Sequence, residues 1–246
     1  MTPPAPAFLC VGAAHWDVVG RTTAALPPGA DVPGRITRQP GGVAQNVARA
    51  LAGLGRPVRL LAAIGQDADG DALAADLATA GVDCAWLCRH TGPTDRYLAI
   101  EGADGALHAG VADCAGLETV GLALFAPLHA ATPPGRLVVD GNLPAEVLAA
   151  ALDAGSGAAF VPASPRKLAA VAPLVLARRI TLYLNRAEAE ALCGRGFVDS
   201  RSAAWALRAR GAGEVLVTDG DRPATATDGA GGLEVLRGRH AVGEDR

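Results

Sequence analysis

GGVAQNVARALAGLG, residues 41–55, sets two glycines ahead of an amphipathic helix and closes it with glycine again. Apolar residues at 43, 47, 50, 51 and 54 keep the helical period, and Gly53 and Gly55 mark its end. The leading glycines let another group approach the backbone. The start of a helix carries unpaired N–H groups that suit hydroxyls or anions, and Asn46 adds a donor and an acceptor. Two readings are open from these residues alone. One is a grip on a polyhydroxylated small molecule; the other is a plain glycine turn into a helix with Asn46 in solvent.

Outward from this stretch the chain alternates strand and helix. Phe8 to Ala13 reads as a buried strand, and Val58 to Ile64 as a second. Asp71 to Ala80 has a helical pattern closed by Gly81. Strands at 137–140, 158–162, 180–184 and 214–218 then alternate with helices at 145–153, 167–176, 187–192 and 202–210. Such alternation predicts an α/β fold with a mostly parallel sheet covered on both faces. Two segments break it. Asp17 to Gln39 has no helical period, and Arg96 to Asp113 reads as a strand pair around Asp104–Gly105. Both suit a small β-sheet off the main body, either a lid or a surface hairpin without functional weight.

The chain has 246 residues, 50% of them hydrophobic and 19% charged, with a formal net charge of −3. No dense Lys/Arg block appears, which argues against a nucleic-acid surface. The longest apolar run, Val120 to Ala131, is broken by Pro127 and His129 and is too short for a membrane span. The N-terminal MTPPAPAFLCVG lacks a basic flank before its apolar stretch, which speaks against a signal peptide. Five cysteines without CxxC spacing fit a reduced, cytoplasmic protein. The histidines (15, 90, 108, 129 and 240) show no metal spacing and read as solvent or hydrogen-bonding groups. No GxxxxGK[ST] is present, and the first strand leads into GAAHWD rather than GxGxxG.

The order and spacing of GG-VAQN-VARALAGLG, VRLLAAIGQDADGDAL, LVVDGNLP, VPASPRKLAAVAPL, LNRAEAEAL and GAGEVLVTDG resemble the ribokinase-like (PfkB-type) carbohydrate kinases. YLAIEGADGALHAGVAD and VDGNLPAEVL look most like the pseudouridine kinase branch. The resemblance implies one ribokinase-like domain over residues 1–246, with a three-layer core and a β-sheet lid formed by segments 17–39 and 96–113. It implies a cytoplasmic enzyme using ATP and Mg²⁺, in some members with a monovalent cation. That enzyme would phosphorylate a primary hydroxyl of a sugar or nucleoside, with the lid able to pair two subunits.

Residue by residue, the resemblance implies that Asp17, Gly41, Gly42 and Asn46 bind the sugar hydroxyls. It implies that Asn185 and Glu188 of the N-x-x-E segment organise Mg²⁺ and its water, and that Thr218 and Gly220 of the TxG turn lie near the nucleotide. Asp17 also suits a strand-end turn. Asn185 and Glu188 also match a helix capping box, a role that need not exclude the other. Asp219, inside TDG, places a carboxylate where it could repel a triphosphate.

The family also uses a D-T-x-G-A-G-D segment, whose amides form an anion hole and whose last Asp is the base. ATDGAGG, residues 226–232, is the nearest spelling here. It follows Thr218 too closely and lies between two strand-like runs, so it reads as a hairpin turn, with Gly232 where the base would be. Asp245 is the last carboxylate, and no GAG precedes it. The expectation is a C-terminally truncated chain with no catalytic base, whose transfer is impaired. The alternative is a non-catalytic sugar- or nucleoside-binding relative. Loss of covering helices is expected to leave Leu216 and Val217 bare.

Overall fold

A computed structural model describes residues 7–129, 135–154, 157–227 and 232–236. The chain forms two compact units, Met1–Ala154 and Gly155–Arg246.

In the first unit the strands are β1 (Phe8–Val11), β2 (His15–Thr22), β3 (Gly34–Gly41), β4 (Val58–Leu61), β5 (Ala63–Gly65), β6 (Cys88–His90), β7 (Arg96–Glu101), β8 (Leu107–Asp113) and β9 (Arg136–Asp140). The helices are α1 (Val43–Gly53), α2 (Ala68–Thr79), α3 (Gly116–Val120), α4 (Ala126–His129) and α5 (Ala145–Asp153). β1 lies between β9 and β4 and is parallel to both. Leu9, Cys10 and Val11 of β1 are buried, as a parallel strand covered on both faces requires. Ala44 and Ala48 of α1 pack with Leu60, Ile64, Leu73 and Leu77 in the core of this unit.

The expected strand at 58–64 is interrupted at Ala62. β4 pairs with β1, while β5 leaves to pair with β6. Helix α2 begins three residues before the sequence pattern suggests, because Asp67 caps it, its side chain accepting from the Gly70 amide at 2.8 Å. The apolar run after Val120 folds into short helical turns. No helix of the described residues is long and apolar enough to cross a membrane.

The two segments that break the alternation form one four-stranded sheet, ordered β3-β2-β7-β8. β2 is antiparallel to β3 but parallel to β7, so strands distant in sequence lie side by side. Alternation divides this sheet into two faces. One carries Asp17, Val19, Tyr97 and Ala99. The other carries Ile36, Val18, Leu98 and Val111, with Ile36 78% and Val111 61% exposed. A single carboxylate in α2 fastens the sheet. Asp69 receives Arg38 of β3 at 2.7 Å and Arg96 of β7 at 2.8 Å. Its backbone oxygen accepts from the Trp16 indole at 3.0 Å, and Arg38 stacks on that ring at 3.9 Å.

The second unit contains β10 (Ala159–Val161), α6 (Pro165–Leu176), β11 (Thr181–Asn185), α7 (Arg186–Cys193), α8 (Ser200–Ala209), β12 (Val215–Asp219), β13 (Arg222–Thr227) and β14 (Leu233–Leu236). β10, β11 and β12 are parallel, and β13 and β14 continue the sheet antiparallel. Ser164 caps α6 by accepting from the Lys167 amide. Leu182, Leu184, Val215 and Val217 point to the face covered by α7 and α8. Val217 is thus fully buried, contrary to the expectation that it would be bare; the bare side belongs to Tyr183, which is 40% exposed, with half-buried Leu216 beside it. Thr227 pairs with Leu233, so ATDGAGG is spanned by a β13–β14 hairpin. Residues 228–231, and Asp245, lie outside the described residues.

Candidate functional site

In the first unit the end of β3 and the start of α1 meet β2. His15 of β2 faces Gly41 in the strand register, and Asp17 lies two residues along the same face. The Asp17 carboxyl is folded over Gly41 so closely that any Cβ there would collide with it. Gly42, at φ +99°, caps α1 and lies against the Ala13 carbonyl, where a side chain would also collide. Both glycines are therefore required by close approach, and Asp17 and Gly41 form one surface. His15 Nε2 lies 3.1 Å from Asp17 Oδ1. Asn46, in the next turn of α1, is exposed. Gln45 beside it is fully buried, and neither of its amide atoms finds a partner among the described residues.

The first turn of α1 differs from the sequence-based expectation of unpaired amides. Asp140, at the end of β9 and 1% exposed, places Oδ2 between the Ala13 amide at 2.9 Å and the Ala44 amide at 3.1 Å. Its Oδ1 accepts from the backbone amide of Asn142 at 2.7 Å and from the Asn142 side chain at 3.0 Å. The Gln45 amide donates to the Ala13 carbonyl. Two of the first amides, those of Ala44 and Gln45, are thus engaged by the protein itself and are not free donors. Desolvation pushes the Asp140 carboxyl above its usual range, opposed by the hydrogen bonds it accepts. Burial and the neighbouring Asp140 push the Cys10 thiol up to about 12. Sequence reading passed over Asp140; its only signal was a carboxylate at the end of a parallel strand, in VVDGN, where sites of such folds gather.

In the second unit the ends of β11 and β12 bring Asn185 and Thr218 into adjacent register positions, on the face away from α7 and α8. Asn185 caps α7. Its side-chain oxygen accepts from the Glu188 amide at 2.9 Å, and Glu188 Oε2 accepts from the Asn185 amide at 2.8 Å. The capping box is formed. Desolvation raises the Glu188 carboxyl above its ordinary value, and the Asn185 amide pulls the other way. Thr218 is exposed, and Gly220 turns the chain at φ +64° with open space where a Cβ would stand. Strand alternation separates the two ends of TDG. Thr218 faces the open side, whereas Asp219 turns to the helix-covered side, where Arg186 and Arg222 bind it at 2.7 and 2.9 Å. The expected clash between Asp219 and a triphosphate is therefore removed by direction and by charge.

No group of three or more His, Cys, Asp or Glu side chains among the described residues could by itself hold a metal ion. An oxygen-ligated Mg²⁺, which keeps several waters, needs fewer protein ligands, and the Glu188 carboxylate is of the right chemical type.

The sequence model of the pfkB family carbohydrate kinases matches residues 6–242. The uncharacterized sugar kinase YeiI of Escherichia coli is 35% identical over 140 residues, covering 56% of this chain and 39% of that protein. The pseudouridine kinase of Escherichia coli is 30% identical over 190 residues, covering 75% of this chain and 60% of its own length. The chain thus spans less than two thirds of either curated relative. Among solved structures, a carbohydrate kinase from Agrobacterium tumefaciens superposes with a TM-score of 0.75 at 29% identity, covering 90% of this chain and 73% of that one.

Proposed function

The chain belongs to the pfkB family of carbohydrate kinases, and we propose that it binds a sugar or nucleoside, with pseudouridine as the first choice, at Asp17, Gly41, Gly42 and Asn46. The observation that carries this reading is the Asp17 carboxylate, folded over Gly41 with His15 Nε2 3.1 Å away. A carboxylate fixed above bare backbone is a ready acceptor for paired hydroxyls. ATP, bound with Mg²⁺ beside Asn185, Glu188, Thr218 and Gly220, would supply the γ-phosphoryl group for a primary hydroxyl. Work in the reduced cytoplasm, pairing of two copies through the small sheet, and a monovalent cation requirement belong to the same reading.

A second reading, a binder that does not transfer phosphate, is favoured by the hairpin. Thr227 and Leu233, on either side of the GAG spelling, pair in antiparallel strands, and Gly232 offers no base. One pair of measurements separates the two. Calorimetry with pseudouridine, uridine, ribose and fructose reads guest binding, and ADP release from MgATP in the presence of the bound guest reads transfer. Heat with one guest, lost in D17N, supports the site. No heat with any of them refutes it. Losing an anion hole or a base removes roughly 10²–10⁴ in rate, so binding with barely measurable ADP release selects the second reading, and brisk turnover the first.

A further inference from the structure

We propose that Asp219 is a positioning residue that locks the Thr218–Gly220 turn to the first turn of α7 through Arg186, fixing the nucleotide side of the second unit. The inference rests on the nucleotide reading given above for those two turns.

The placement follows from the strand itself. Val215, Val217 and Asp219 share the buried face of β12, and Asp219 is 7% exposed. Between Val217 and Asp219 the pairing with β13 slips, so that Val217 faces Thr225 while Asp219 faces Arg222. Such a bulge re-aims side chains at the end of a ladder, and here it brings Arg222 onto the carboxylate. The second cation comes from α7. Arg186 directly follows Asn185, and its Nε donates to Asp219 Oδ1 at 2.7 Å. Its Nη1 donates to Glu190 Oε1 at 2.6 Å and to the Phe197 carbonyl at 2.9 Å. Those bonds turn the guanidinium back into the protein rather than toward the side where Thr218 is exposed.

A stabilising role alone does not explain the carboxylate. Its Oδ2 is buried with no partner among the described residues. A buried, incompletely satisfied ion pair is commonly no more stable than an apolar replacement. What it adds is direction, because a charged, forked donor held by a buried acceptor fixes geometry. The fixed pair joins Asn185 and Thr218, which already sit side by side in the β11–β12 register.

The test compares the wild-type chain with D219N, D219L and R186M. The readouts are MgADP affinity by calorimetry, pseudouridine affinity, melting temperature, and hydrogen exchange at residues 185–190 and 218–221. Loss of a supporting partner of this kind weakens binding by about tenfold or more. That loss is expected for MgADP in D219L and R186M and less in D219N. Pseudouridine affinity should stay unchanged, and exchange should accelerate at both turns. If D219L fails to fold, the isosteric D219N and R186M decide. Wild-type protein that takes up no MgADP overturns the nucleotide reading and this inference together. Wild-type protein that binds MgADP, with all variants binding equally well, overturns this inference alone.

Discussion

At the scale of single residues, a buried acid ties two segments of the first unit together. Asp140 holds Ala13 and Ala44 together and so sets where β1 ends and α1 begins. Asn at that position offers one acceptor and presents a donor to amides that need an acceptor. Leaving a buried donor unsatisfied costs about 1–3 kcal/mol, so D140N should lower the unfolding free energy by about that amount in urea titrations. Glu188 gives a pH signature. Burial raises its carboxyl above the ordinary 4.5, so the folded chain holds this proton more tightly than the unfolded chain. Its contribution to stability is complete below 4.5 and is lost as pH climbs through the raised value. E188Q keeps an acceptor for the Asn185 amide and has no proton to lose. Its urea midpoint should therefore gain on wild type as pH rises through that window; parallel curves would show that the shift is absent.

Elements show what can and cannot be read from sequence. The α1 helix and the strands around it were legible because period and glycine punctuation agree over many residues. The site glycines were legible for the same reason, since Gly41 and Gly42 stand where no side chain fits. The amides at the start of α1 were misread because their partner, Asp140, comes from a strand far along the chain, and no local pattern announces a long-range cap. Asp219 was misread because sequence gives neighbours but not faces; only the pleat separates it from Thr218. The fastening of the small sheet was equally hidden, since Asp69 gathers Arg38, Arg96 and Trp16 from three strands. Partly exposed ion pairs are each worth about 0.2–1 kcal/mol, so D69A should change global stability little. Hydrogen exchange in β2, β3 and β7 should nevertheless accelerate, because the sheet loses both guanidinium anchors at once. Unchanged exchange there would show that the pairing of the strands suffices without α2.

For the molecule as a whole, the outer face of the small sheet bears on assembly. Val111, Leu98 and half-buried Val18 lie side by side on β8, β7 and β2, and Ile36 of β3 continues this apolar row diagonally from Val18, with Ile36, Leu98 and Val111 exposed. Isolated apolar side chains on a surface are ordinary, but a contiguous row marks a contact surface. Two copies pairing through this row should give a dimer mass in light scattering, and I36E should return the monomer mass. A wild-type monomer at every concentration measured would exclude that pairing. The sheet's connectivity also has a consequence for synthesis. β2 and β7 pair in parallel although β3 to β6 and two helices separate them in sequence, and such non-local pairing forms slowly. A nascent chain on the ribosome therefore carries the β2–β3 hairpin with one hydrogen-bonding edge open until Arg96–Glu101 has been translated. Chaperone capture during translation should be concentrated in that interval and should end once β7 has emerged.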